Sequence, residues 1–322
     1  MGKVFAQRRI IMLLMFLVAG VLLASFRTQI AWRWRLVQLK TQQQPAFLSW
    51  NEVLNAMAPG SDGTGPASWV TGDVQVSRFA GQDGPCPALY SMPTLGSFWG
   101  RLTDDLILEL LFKEQIFDQI YMNGKVAVKQ GDVVLDVGGH LGTFTRAAIN
   151  HGASRVVAFE PEPVNHACLE ETFAAEIGQG RVTIIKAAAL EAPGTAGFEL
   201  LGRPDHGYAS AQSAVTEGGK LQVRAVTIDQ VVEELGLERV DFIKMDIEGG
   251  ERRALEGARR TIARYGPRMA LAAYHAHHPD HVGNDEQTIP QIVLRERPGY
   301  DWTIDAGIAY FFEGKDATRN RP

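Results

Sequence analysis

The chain has 322 residues, 45% of them hydrophobic and 21% charged, the balance of a protein that buries a real core in one large or two modest domains. Its 32 Lys and Arg against 37 Asp and Glu give a formal charge of −5, and this mild acidity argues against a dedicated nucleic-acid binder, which carries a basic patch or stripe. Cys86 and Cys168 stand far apart and outside any CxxC pattern, which excludes a disulfide framework and a thiolate metal site and fits a reducing compartment.

After a short tail (1–9), residues 10–26 read IIMLLMFLVAGVLLASF, an uncharged run with basic residues on both sides and Trp32 and Trp34 just beyond. As a helix it spans about 25 Å, the short end for a bilayer core. The run is longer than a usual signal-peptide core and lacks a clean small-x-small cleavage site, so a single-pass transmembrane anchor is expected. The flanking charges do not orient it. The cytosolic metabolite required by the chemistry below favours a cytoplasmic catalytic domain. Residues 27–100 read as a juxtamembrane and linker region, with helical stretches near 50–57, a PGSDGTGP linker at 59–66 and an irregular remainder. An amphipathic helix is expected over 104–121, closed by Asn123-Gly124.

From Asp132 onward, short apolar runs alternate with helical segments. VVLDV (133–137), RVVAFE (155–160), VTIIKA (182–187), DFIKMD (241–246) and MALAAY (269–274) are five candidate strands. Such alternation implies βαβ units and a buried parallel sheet with helices on both faces. GTAGFELL and KLQVRAV form an expected extended pair beside it, and WTID and IAYFFEG the closing antiparallel strands.

VVLDVGGHLGTFT (133–145) ends a strand in Asp136 and turns through Gly138, Gly139, His140 and Gly142 into a helix. Glycine lets the backbone turn tightly and lets a ligand approach. Eighteen residues past Gly142 a second strand ends in Glu160, an acid able to accept hydrogen bonds from both hydroxyls of a ribose. The glycines do not spell G-x-G-x-x-G, and a carboxylate before the turn repels a pyrophosphate but suits the ammonium of a methionine moiety. Lys186 to Ala189, with Ala188 as the candidate contact, place small residues where a planar adenine would lie. Lys244, Asp246 and Glu248 alternate at the end of the fourth strand and point the same way if strand geometry persists. Open α/β sheets place ligands at that end.

DVGGHLG, AFEPEP, VTIDQVV and above all FIKMDIEGGERRALEGA resemble the FkbM-type methyltransferases, over roughly residues 125–315. The resemblance implies a class I methyltransferase fold, a Rossmann-like, mostly parallel sheet, within a catalytic domain at 101–322. It also implies S-adenosylmethionine as methyl donor and, usually, O-methylation of a sugar, glycolipid or secondary metabolite. By that match Asp136, Gly138, Gly142 and Glu160 hold the cofactor, and Lys244, Asp246 and Glu248 fall at the acceptor side. His140 departs from the small or amide residue that relatives tend to carry. A hydroxyl acceptor needs a base for its proton, for which Asp246, Glu248 or a histidine that they orient are the candidates.

YHAHHPDH (274–281) follows the fifth strand. His275 is the candidate base or acceptor ligand. The spacing of His275, His277, His278 and His281 matches no established site type, so no metal is assigned. Asp205, His206, Tyr208 and Ser210 form a further polar patch. The expected partners are a small-molecule or glycan- or lipid-linked acceptor and, through residues 10–26, a membrane. A nicotinamide-dependent oxidoreductase and an inactive membrane-anchored scaffold are the rival readings.

Overall fold

The computed structural model describes residues 75–78, 84–92, 96–101, 108, 111, 114–115, 118–200, 213–215, 219–275 and 285–314. The chain divides into two compact units, Met1–Ser68 and Trp69–Pro322, and every described residue belongs to the second. The expected anchor at 10–26, the helical stretch at 50–57, the linker at 59–66, most of the helix at 104–121, the patch at 205–210 and His277, His278 and His281 lie outside the described residues.

The described chain opens with β1 (Gln75–Arg78), β2 (Ala88–Met92) and β3 (Gly96–Gly100), an antiparallel sheet in that order. Then come β4 (Val133–Val137), α1 (Thr143–Asn150), β5 (Arg155–Phe159), α2 (Pro163–Thr172), α3 (Ala174–Gly178) and β6 (Val182–Ile185). A small second sheet is built from β7 (Ala188–Ala189), β8 (Gly194–Leu200), β9 (Ser213–Val215) and β10 (Leu221–Val226). The chain continues through α4 (Ile228–Glu234), β11 (Phe242–Met245), α5 (Glu251–Glu256), α6 (Arg259–Tyr265), β12 (Arg268–Ala272), α7 (Asp285–Glu296), β13 (Tyr300–Asp305) and β14 (Ile308–Glu313).

The main sheet has seven strands in the order β13-β14-β12-β11-β4-β5-β6. Its five central and flanking strands run parallel, while β14 and β13 are antiparallel additions. This is an α/β fold with a mixed sheet. The five expected strands fall on β4, β5, β6, β11 and β12, and the two expected antiparallel pairs are β8 with β10 and β13 with β14. Strand periodicity sorts the core into two layers. Leu135, Val137, Ile243, Met245, Met269 and Leu271 pack on one face with Val231, Leu255 and Ile262 of the later helices. Val134, Val156, Phe242 and Ala270 pack on the other with Phe144, Leu169 and Phe173.

Chain direction through the sheet sets the functional location. From β4 the chain steps outward through β5 and β6, then returns to the other side of β4 at β11 and continues to β12. The order therefore reverses between β4 and β11, and ligands of open α/β sheets bind in the crevice at the carboxyl ends of strands at such a switch point.

Two expectations are corrected. The longest described helix, α7, has 12 residues, about 18 Å at the α-helical rise and well short of a hydrocarbon core of about 30 Å. Among the described residues no helix is long and apolar enough to cross a membrane, so the assignment as a single-pass membrane protein is withdrawn. The cysteines, read as fitting a reducing compartment, are instead joined as Cys86–Cys168, with Cα atoms 5.5 Å apart across 82 residues of sequence. Neither spacing nor motif announced this pair, because the partners meet only when the three-stranded sheet docks on α2. Three further contacts hold the docking: the Trp99 N–H donates to Thr172 Oγ1 at 2.9 Å, and Arg101 donates to Asn165 Oδ1 at 2.6 Å and to Glu162 Oε2 at 2.5 Å.

Candidate functional site

Asp136, the penultimate residue of β4, lies fully buried beside Lys244 of β11, its register partner and only 2% exposed. The Asp136 carboxylate accepts a 2.7 Å bond from Thr145 Oγ1 of α1 and lies 3.3 Å from the Lys244 ammonium. Lys244 Nζ also donates to the carbonyl of Gly138 at 2.8 Å. Burial raises the Asp136 pKa, and Lys244 and Thr145 oppose that rise. The pair therefore fastens the glycine turn to the sheet from beneath.

The turn is set by backbone geometry. Gly138 has φ +93°, and a Cβ there would meet the Asp246 carbonyl oxygen at 2.0 Å. Gly142, in the left-handed region at φ +86°, leaves room for the Phe173 ring, which a Cβ would strike at 2.4 Å. Only glycine meets both requirements. The N–H groups of Gly138 and Gly139 donate to the Phe159 carbonyl and that of Gly142 to Gly139, while His140 N–H donates to Glu160 Oε2 at 2.8 Å. These four donors are all spent inside the protein, unlike the outward-facing donors that hold a pyrophosphate.

Glu160 follows β5 and is 4% exposed. Its second oxygen accepts the Glu162 N–H at 2.9 Å. Burial pushes its carboxyl up to about 7, against the backbone donors of Glu162 and His140. Each oxygen is thus fixed by one N–H donor and keeps capacity for another. Glu162 caps α2 by accepting from Asn165 N–H at 2.7 Å, and Arg101, directly after β3, braces it. Ala188 lies in β7, paired with Ala225 and packed among Leu190, Phe198 and Val223.

A second group gathers where β11 ends. The alternation read from the sequence brings Lys244 and Asp246 to one side, both against Tyr121: Lys244 Nζ lies 5.4 Å from the ring centre, and the hydroxyl donates to Asp246 Oδ2 at 2.8 Å. Strand geometry stops at Met245, and Glu248 is turned by φ +54°. His275, three residues past β12, faces three carboxylates. Its Nε2 is 3.5 Å from both Asp246 Oδ1 and Glu248 Oε2, and its Nδ1 is 3.0 Å from Glu251 Oε1. Burial works against the imidazolium, yet Glu251, Glu248 and Asp246 together raise its pKa to about 10. Burial, helped by the Asp246 charge, lifts Glu248 to about 7 and Glu114 to about 8.

Sequence reasoning missed Glu251, Tyr121 and Glu114. Glu251 stood within the EGGE run, and only the structure shows it fully buried at the first position of α5. Tyr121 and Glu114 come from a segment distant in sequence, with no motif to link them to Asp246.

With this geometry in place, comparison with known proteins gives a consistent answer. The family model described as the methyltransferase FkbM domain matches residues 136–301, just over half of the chain and spanning both groups of residues. The 31-O-demethyl-FK506 methyltransferase FkbM of Streptomyces tacrolimicus is 30% identical over 177 residues, covering 46% of this chain and 68% of that protein. The hexuronic acid methyltransferase AglP of Haloferax volcanii is 28% identical over 134 residues, covering 42% of this chain and 53% of that protein. Among solved structures, a methyltransferase FkbM from Methylobacillus flagellatus KT has a TM-score of 0.44 at 22% identity, covering 62% of this chain and 48% of that one. The chain spans about half the length of the last two. It belongs to the FkbM methyltransferase domain family.

Proposed function

We propose that the chain is an S-adenosylmethionine-dependent methyltransferase acting on a hydroxyl of a small-molecule or sugar acceptor. The observation that carries this reading is Glu160, a buried carboxylate at the carboxyl end of β5 with both oxygens oriented by backbone donors and both able to accept one more bond. A vicinal ribose diol supplies two such donors. The inward-spent N–H groups of the glycine turn favour a ligand without a pyrophosphate over a dinucleotide. The names of the two curated relatives, a demethyl-FK506 and a hexuronic acid methyltransferase, support a hydroxylated acceptor.

In this reading Glu160 binds the ribose, and the Gly138 to Gly142 turn shapes the floor beneath the cofactor. Asp136 and Lys244 are positioning residues that act through the turn. When bound, the cofactor's sulfonium supplies an electrophilic methyl group. Asp246, Glu248 and His275 orient the acceptor hydroxyl. Glu248, whose side chain is a third exposed and so reaches the crevice, takes its proton. Most of the rate then comes from holding donor and acceptor in line.

Calorimetric titration of S-adenosylmethionine into the full chain tests this. Micromolar binding is expected, weakened at least about tenfold in Glu160→Ala, since bonds to a charged acceptor contribute about 1.5–3 kcal/mol. A folded chain that gives neither heat nor a thermal shift overturns the assignment.

A further inference from the structure

The group around His275 has more acceptor capacity than its protein partners use. Glu251 is completely buried, and among the described residues its Oε2 finds no hydrogen-bond partner; Asp246 Oδ1 is likewise buried without one among them. Burying a carboxylate oxygen without a donor is costly, so such atoms call for an explanation. Lys244 does not provide it, because it is committed to Asp136 and the Gly138 carbonyl. Glu248, 3.5 Å from His275 Nε2, adds a third carboxylate to a cluster that contains one imidazole.

One ligand atom each from Asp246, Glu251 and His275 lies within 4.8 Å of the others. Ligand atoms around a single ion bound at about 2.1 Å sit between roughly 3 and 4.2 Å from each other, so small side-chain adjustments would close the three onto a cation. The ligands come from the end of β11, the start of α5 and the residues after β12, three segments brought together by the sheet. We propose that Asp246, Glu251 and His275 form a binding site for one divalent cation. Two carboxylates and an imidazole, which gives up one ring proton to solvent as the ion enters, suit a borderline ion of the Mn2+ or Zn2+ kind better than Ca2+, which favours an all-oxygen shell. Glu248 lies at the more exposed side of the cluster, so the ion's remaining positions face the crevice. There they would take the acceptor's oxygen, polarising it and fixing its direction. That last role rests on the methyl-transfer reading; the binding of the ion does not.

The test strips the full-length chain with a chelator and titrates MnCl2, following the paramagnetic resonance signal of free Mn2+, with ZnCl2 followed separately by equilibrium dialysis. One ion per chain is expected for at least one metal, with affinity falling at least about tenfold in both His275→Gln and Glu251→Gln. Glu251→Gln keeps an acceptor for the Ile247 N–H that Glu251 Oε1 now binds at 2.9 Å, and thermal melts establish that each variant is folded. Should one variant fail to fold, the other and the wild-type stoichiometry decide. Absence of one-per-chain binding by both metals, or unchanged binding in the folded variants, overturns the proposal. S-adenosylmethionine calorimetry on the same samples separates the two readings. Loss of the ion site with intact cofactor binding defeats only this inference, and the converse defeats only the methyltransferase assignment.

Discussion

Cutting the Cys86–Cys168 link, by dithiothreitol or by Cys86→Ser, should lower stability by an amount that the chain separation fixes. The bond closes a loop across 82 residues. The entropy withheld from the unfolded chain by a loop of that size corresponds to about 4.5 kcal/mol at 25 °C. With a urea slope near 2–3 kcal/mol/M, the midpoint should fall by about 2 M. The melting temperature of a domain of this size should fall by roughly 9–18 °C. Both sulfurs are buried, Cys86 at 3% and Cys168 at 1% exposure, so the link does not act merely at a frayed surface. Urea unfolding followed by circular dichroism, with and without reductant, reads the effect. Thiol titration in urea without reductant should find no free thiol. Two thiols per chain, or coincident unfolding curves, would refute the reasoning.

Two further outcomes follow from the site. Lys244→Ala leaves Asp136 fully buried without its counterion, which should cost about 3–5 kcal/mol; it also frees the Gly138 carbonyl, so a chemical-denaturation series and cofactor calorimetry should both register the loss. In the proposed role Glu160 binds a diol best when ionised, and burial pushes its carboxyl from the ordinary 4.5 up to about 7. Because the folded free form holds its proton up to that pH, cofactor affinity should be full above 7 and fall as pH drops through it. The fall should approach about thirty-fold between pH 8.5 and 5.5, and calorimetry showing no such trend in the wild type would contradict the role given to Glu160.

The main sheet was legible because its strands are buried on both faces and so read as unbroken apolar runs. Asp136 and Glu160 stood out because each ends such a run beside a turn. Lys244 was legible as part of the site but not in its role. Alternation along β11 ranks it with Asp246, whereas its reach back to Gly138 depends on the register of β11 against β4. The small sheet at 75–100 was not legible at all. Its Gly, Pro and aromatic residues carry no strand period, and what holds it is the disulfide and the Arg101 contacts to α2, both tertiary. Glu251 hid for a similar reason, since its partner His275 is 24 residues away.

The two halves of the site are coupled more closely than their chemistry alone requires. The space that a side chain at position 138 would fill is occupied by the backbone carbonyl of Asp246. The turn and the strand end, which on the proposed function serve cofactor and acceptor respectively, therefore touch through main chain, with no flexible side chain between them. Lys244 adds a second tie, since it sits on β11 two residues before Asp246 and holds the Gly138 carbonyl. An in-line transfer loses rate steeply when donor and acceptor drift by as little as about 1 Å. Fixing both positions by one backbone contact and one buried ion pair limits that drift. It also explains why glycine at 138 and a cation at 244 belong to the same requirement.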